Sequence, residues 1–170
     1  MIEKIENTKL DGVKLITLNK FDDFRGGYIE TYNEKEYFEK GIDIKFVQDD
    51  ISWSSKHVLR GVHGDEGTYK LISCLHGNFY FVVVNNDPTH PQYKQWESFS
   101  LNAEKPQQVL VPPKFGNGHL IMSEKAIFCY KQSTYYDEYE QFTIKWNDPN
   151  YNMWWPVKNP IISQRDEGIK

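Results

Sequence analysis

Residues 69–84 read Tyr69-Lys70-Leu71-Ile72-Ser73-Cys74-Leu75-His76-Gly77-Asn78-Phe79-Tyr80-Phe81-Val82-Val83-Val84. Two runs rich in β-branched and aromatic residues flank the turn formers His76-Gly77-Asn78, so strands are predicted over Tyr69–Leu75 and Asn78–Val84. The pattern recurs in both directions. Gly12–Leu18, Gly27–Tyr32, Ile44–Gln48, Tyr93–Leu101, Gln107–Val111, His119–Met122 and Ala126–Gln132 are similar short runs. Turn formers such as Arg25-Gly26-Gly27, Asn86-Asp87-Pro88 and Pro112-Pro113 separate them. Only Asn33–Gly41 reads as a helix, with Asn33 as cap and Tyr37 and Phe38 on one side. About nine short strands with so little helix predict an all-β sandwich or barrel of antiparallel sheets. A parallel sheet needs crossover helices, and the chain has no room for them.

The end of the chain differs in kind. Phe142-Thr143-Ile144-Lys145-Trp146 has the pattern of a last strand, after which Asn147-Asp148-Pro149 and Trp154-Trp155-Pro156 break the chain. Residues 1–170 are read as a single domain, with the Trp-rich tail 147–170 packing back on the barrel.

Composition bounds the function. The chain has 170 residues and 15% aromatic content, which argues against disorder and for an aromatic core, an aromatic-lined pocket or both. The formal charge of -4 lacks the basic surplus of a nucleic-acid binder. A few local cations still suffice for a diphosphate. The longest charge-free stretch, Leu71 to Asn86, is too short and too polar to span a bilayer. No secretory signal is visible at the start, so a cytoplasmic protein is expected, with no membrane partner. The two cysteines, Cys74 and Cys129, sit inside apolar runs and read as buried free thiols.

The densest polar cluster is Leu59-Arg60-Gly61-Val62-His63-Gly64-Asp65, followed by Thr68-Tyr69-Lys70-Leu71. If Arg60 and His63 end one strand and Lys70 begins the next, all three face one cavity. Histidine is the natural base near neutral pH. A neighbouring ammonium stabilises an oxyanion or enolate, and Arg60 suits a phosphate. A turn histidine between solvated cations explains the same spacing. A metal site needs at least three ligands, but His63 has no second His close by and His119 is the one distant partner, so no metal is expected. Alternation places Tyr130 on the opposite face from Cys129, as a core residue or as an acid across from the histidine. Val111 to His119 reads as a Pro- and Gly-rich connection on a pocket rim, and includes Asn117. Phe21 to Glu30 is a charged hairpin carrying Arg25 and Glu30. Asp166 is either an exposed tail residue or a carboxylate that orients an imidazole.

Together these residues resemble the nucleotide-sugar 3,5-epimerases, typified by the dTDP-4-dehydrorhamnose enzymes. The matching stretches are Phe24-Arg25-Gly26 with Glu30, Phe46-Val47-Gln48-Asp49, Val58 to His63, Lys70-Leu71, Tyr130-Lys131, Trp146 to Pro149, Trp155-Pro156 and Ser163 with Asp166. The resemblance implies a cupin-like jelly roll and a cofactor-independent epimerase acting on a nucleotide-linked 4-keto sugar. By resemblance His63 is the base, Asp166 its support, Tyr130 the opposite-face acid and Lys70 the enolate stabiliser. It likewise places Arg60, Arg25, Gln48 and Glu30 against the diphosphate or sugar, Asn117 and His119 at the substrate, and Tyr136 or Tyr135 under the nucleotide base. Some of these come from a second subunit in that family, which implies a homodimer. Where the rhamnose enzymes carry Phe-Gln after the histidine, this chain has Gly64-Asp65. Where they carry Ala-His-Gly, it has Gly116-Asn117-Gly118. These departures are similar to a subgroup acting on GDP-4-keto-heptoses in capsule synthesis, so GDP is expected ahead of dTDP. A 3,4-ketoisomerase on the same barrel and a non-catalytic sugar-binding barrel are the alternatives. The former usually has a second His where Asp65 stands.

Overall fold

The computed structural model of the chain describes residues 1–168, so the last two positions of the expected tail lie outside the described residues. Among the described residues thirteen strands and two short helices follow in chain order: β1 (Ile2–Asn7), β2 (Lys14–Leu18), β3 (Phe21–Asp23), β4 (Gly26–Tyr28), α1 (Glu34–Glu39), β5 (Gln48–Ser55), β6 (Leu59–Gly64), β7 (Lys70–His76), β8 (Asn78–Asn85), β9 (Trp96–Asn102), β10 (Gln107–Val111), β11 (Phe115–Ile121), β12 (Lys125–Gln132), β13 (Phe142–Thr143) and α2 (Gln164–Glu167). A six-stranded antiparallel sheet, β1-β2-β10-β7-β12-β5, faces a five-stranded one, β13-β6-β11-β8-β9. The β3–β4 hairpin stands apart as a two-stranded ribbon. This is the expected all-β, cupin-like jelly roll.

Alternation along the strands builds an apolar layer between the sheets and one on each outer face. Between the sheets, Ile72, Phe79, Phe81, Val83, Val109, Ile121 and Phe128 form one buried cluster. Outside the five-stranded sheet, Val62, Val82, Val84 and Leu120 meet Met153 and Trp155 of the tail. Outside the six-stranded sheet, Ile16, Leu71 and Leu110 meet Tyr37 of α1 and Ile42. A strand buried on both faces reads as an unbroken apolar run, which is why Phe79 to Val84 lacks polar alternation.

Several boundaries differ from expectation. Asn33 does cap α1, its side chain accepting from the Glu36 amide. However, Tyr37 is buried while Phe38 is exposed, because consecutive helical residues point about 100° apart. The first strand, β1, was hidden by its charged residues, which suit an edge position. The run Gly27–Tyr32 yields only the exposed hairpin strand β4, and Ile44–Gln48 gives way to β5, which begins at Gln48. Tyr93 lies in a turn before β9, and the last strand stops at Thr143.

The largest correction concerns Gly116-Asn117-Gly118, expected on a rim loop but lying inside β11. The glycines serve close packing between strands. A Cβ on Gly61, at φ +118, would fall 2.6 Å from the Gly118 Cα and 2.7 Å from the Asn117 carbonyl oxygen. The two glycines let β6 and β11 approach where His63 and Asn117 pair.

Candidate active site

A cavity of about 520 Å³ opens between the sheets, and His63, Lys70, Asn117, His119, Tyr130 and Asp166 line it. The five-stranded sheet contributes His63 from β6 and Asn117 and His119 from β11. The opposing sheet contributes Lys70 at the start of β7 and Tyr130 from β12. Inward alternation on β12 brings Phe128, Tyr130 and Gln132 to this face and turns Cys129 and Lys131 away. Histidine and tyrosine therefore stand on facing walls.

The tail supplies the missing carboxylate. Ile161 bridges to Val58 beside β6, exchanging hydrogen bonds with His57 and Leu59. Ser163 then caps α2 by accepting from the Asp166 amide at 3.2 Å, and Gly168 closes the helix with φ 76. This turn carries Asp166 beneath β6, where it is 4% exposed rather than free on a tail. Its Oδ1 lies 2.6 Å from His63 Nε2, and its Oδ2 accepts from the Gly61 amide at 3.5 Å. Burial pushes the Asp166 carboxyl up, but the hydrogen bond and charge of His63, the Ser163 side chain and the Gly61 amide outweigh it. The net result lies below the usual carboxylate range. With Nε2–H donating to this carboxylate, the His63 Nδ1 lone pair is left as the base.

On the facing wall, burial drives the Tyr130 phenol up to about 12, helped by Asp50 and Tyr136, so the hydroxyl keeps its proton. Burial pulls the Lys70 ammonium down, whereas Asp65, 3.8 Å away, pulls it back up. Asp65 is buried and was not read from the sequence as a site residue. Its signal was present, since a carboxylate immediately after β6 and five residues before Lys70 would have been a pairing candidate for that lysine had the intervening loop been known. At the cavity floor, His119 stacks on Phe128 with ring centroids 4.0 Å apart and planes at 6°. Burial, then the charges of Arg60 and His63, push its imidazole down to about 3, so it is neutral. Its Nε2 has no hydrogen-bond partner among the described residues. Asn117 donates to the His63 carbonyl at 3.2 Å and holds that strand in place.

At the cavity mouth lie Arg60, Tyr136, Gln141 and Arg165. Arg60 donates to the Ser54 hydroxyl at 2.9 Å. The remaining expected residues lie elsewhere. Gln48 donates to Asp50 and accepts from the Tyr136 amide, so it shapes the wall behind Tyr136 without lining the cavity. Arg25 pairs with Asp23 at the exposed hairpin, and Glu30 lies 3.4 Å from the chain's N-terminal amine. Neither lines the cavity of its own chain: Arg25 sits in the turn of the exposed β3–β4 ribbon and Glu30 just after it. Tyr135 is exposed outside the cavity lining.

A family model described as dTDP-4-dehydrorhamnose 3,5-epimerase matches residues 7–170. The dTDP-4-dehydrorhamnose 3,5-epimerase of Escherichia coli (strain K12) is 35% identical over 167 residues, covering 95% of this chain and 90% of its own length. Its namesake from Shigella flexneri is 34% identical over 163 residues, covering 94% and 90%. Among solved structures, a dTDP-6-deoxy-D-glucose-3,5-epimerase from Legionella pneumophila Philadelphia 1, crystallised with dTDP-4-keto-L-rhamnose, superposes with a TM-score of 0.92. It is 34% identical, with 97% of this chain and 90% of that chain covered. With a matching fold, a paired histidine and carboxylate and relatives of this identity, the chain belongs to the dTDP-4-dehydrorhamnose 3,5-epimerase family and is an isomerase.

Proposed function

We propose that this protein inverts C3, and in a full reaction C5, of a nucleotide-linked 4-keto sugar by proton removal and return through an enolate. The observation that carries the reading is the division of labour between the two sheets. The His63–Asp166 pair occupies one wall and Tyr130 with Lys70 the other, across a cavity of about 520 Å³.

The C4 ketone acidifies the hydrogens on its neighbouring carbons. His63 Nδ1 takes the proton from carbon, and the C–H electron pair becomes the enolate, with charge on O4. Asp166 holds the ring and offsets the imidazolium charge that forms. The Lys70 ammonium faces the negative O4, in a site where burial strengthens the attraction. The Tyr130 hydroxyl returns a proton to the opposite face of the same carbon, and the configuration inverts. The proton on His63 and the vacancy on Tyr130 then equilibrate with water, so each inverted carbon carries a solvent hydrogen. None of these steps calls on a group other than the chain's own side chains.

The substrate is assigned more finely as a GDP-4-keto-heptose of surface polysaccharide synthesis. The Gly64-Asp65 and Gly116-Asn117-Gly118 departures support it. Relatives are named for dTDP sugars, so the nucleotide is the first point to test. A homodimer accompanies this reading. Phe24 is 98% exposed, with Tyr28 on the same hairpin and Ile51 and Trp53 on edge strand β5 also exposed. That is apolar surface of the kind a second subunit covers, and Arg25 beside Phe24 would then face the partner's cavity.

The test is exchange in deuterated water with GDP-4-keto-heptose and dTDP-4-keto-6-deoxyglucose side by side. One deuterium means C3 alone is inverted and two mean both centres. A preference of about a hundredfold for the heptose is expected. The reverse preference would overturn the finer assignment and leave the epimerase intact. No deuterium in either sugar would overturn both.

A further inference from the structure

Asp65 takes no part in the proton transfers above, yet it is one of the most buried charges in the molecule, at 5% exposed. It ends the polar cluster after His63, on the loop from β6 to β7. Its Oδ1 accepts from the Gly67 amide at 3.0 Å and the Thr68 amide at 2.7 Å. Its backbone carbonyl accepts from the Lys114 amide at 2.7 Å. A carboxylate fastened this way has little freedom to rotate. Its second oxygen, Oδ2, stands 3.8 Å from Lys70 Nζ, and the two side chains are 4% and 10% exposed.

That distance matters. It is too long for a hydrogen bond but within reach of a strong charge–charge attraction in a buried setting. Lys70 makes no side-chain hydrogen bond among the described residues, although it lines the cavity. Its three N–H donors are therefore free for a ligand while its charge is balanced from behind. The other charged or titratable groups around it do not supply that balance. Arg165 is a cation across the mouth and weakens the ammonium, His63 is committed to Asp166, and Tyr130 keeps its proton.

From this arrangement we infer that Asp65 is a positioning residue for Lys70, keeping its ammonium charged and aimed at the enolate oxygen without occupying its donors. This rests on the epimerase reading. Burial and Arg165 both push Lys70 toward the neutral amine, and Asp65 opposes them. Loss of the Asp65 charge therefore lowers the pH at which Lys70 gives up its proton. Burial pushes Tyr130 up to about 12, and Tyr136 at the mouth is unchanged between wild type and an Asp65 variant, so the part of the alkaline fall that moves with Asp65 is assigned to Lys70.

The test uses Asp65→Asn in the full chain, because the amide oxygen can still accept from Gly67 and Thr68. Asp65→Ser, whose hydroxyl also caps, serves if the asparagine variant does not fold. Two readouts are compared with wild type: the titration of the Lys70 Cε resonance in ¹³C-lysine-labelled protein, assigned by its loss in Lys70→Gln, and the alkaline limb of deuterium exchange. Both should move down by about one pH unit, with Asp65→Glu returning them part of the way and the acid limb unmoved. A folded variant in which the resonance and the limb stay where they are in wild type overturns the inference. A shifted resonance in a protein that catalyses no exchange overturns the epimerase reading, and Asp65 loses its catalytic purpose with it.

Discussion

The cavity and the β3–β4 hairpin contain the same kinds of residue, aromatic rings beside paired charges, in opposite physical states. In the cavity Asp166 and Lys70 are 4% and 8% exposed, and each has a polar partner close by, His63 Nε2 at 2.6 Å for Asp166 and the Asp65 carboxylate at 3.8 Å for Lys70. At the hairpin the Arg25 and Asp23 side chains are 77% and 44% exposed at 2.6 Å from one another, and Phe24 stands almost wholly in water. A fully exposed pair of this kind is screened by water and contributes little to stability, whereas breaking a buried one leaves an uncompensated charge. The difference teaches where preorganisation resides. The residues proposed to move protons line a cavity within one chain, while the hairpin's exposed aromatic surface covers nothing inside its own chain. In the dimer proposed above, a second subunit would cover it.

The sharpest way to break that contrast is to remove the base. His63→Asn should lower deuterium exchange by about a thousandfold while the chain still folds, with a modestly lower denaturation midpoint because buried Asp166 loses its imidazole partner. A next step down, Asp166→Asn leaves the geometry but removes the charge that orients and supports the imidazole, and exchange should fall by roughly a hundredfold. Equal activity in that variant would reduce the tail to packing.

The hairpin is expected to act on binding. Arg25→Ala should raise KM about tenfold with kcat nearly unchanged, since an Arg–phosphate contact is lost and no proton donor is touched. Mixing Arg25→Ala chains with His63→Asn chains sharpens the test. If the hairpin serves the partner's cavity, each mixed dimer has one intact site and activity recovers. Absence of recovery in verified mixed dimers would place the hairpin outside the site.

The smallest effect concerns His119 and is read as stability. An unfolded chain takes up a proton on this histidine near pH 6.5, but the native imidazole, pushed down to about 3, does not. The unfolded state therefore binds more protons on this group as pH falls through that window, and native stability is lost with it. Between pH 7 and pH 5 the loss assigned to His119 is about 2 kcal/mol. Denaturant titrations should show this part of the slope missing in His119→Phe, which keeps the stacked ring on Phe128. An unchanged slope would mean that the native imidazole titrates normally.

Much of this was legible in the chain. Alternation and turn chemistry set the sheet-rich class, and the β10 run Gln107–Val111 matches its predicted bounds. His63 does lie at the end of one strand and Lys70 at the start of the next, whereas Arg60, expected beside His63 at the strand's end, stands near the start of β6. What stayed hidden was non-local. β1 reads as a charged edge because only one side of it pairs. Gly116 and Gly118 look like loop residues until the close approach of β6 to β11 explains them. Asp166 owes its burial to the contact of Ile161 with Val58, made across more than a hundred residues of sequence. Asp65 owes its place beside Lys70 to the loop that folds it back. Periodicity reports which face of a strand is apolar, and it carries nothing about which distant segment lies on it.

The account's central claim is that two facing walls move protons on and off carbon. The most direct measurement is the wild-type protein in deuterated water with a nucleotide 4-keto sugar, the label located by NMR. The account predicts deuterium at C3 or at C3 and C5, with inverted configuration at each labelled carbon and no label elsewhere. A sugar bound by the protein that keeps every one of its hydrogens would contradict it.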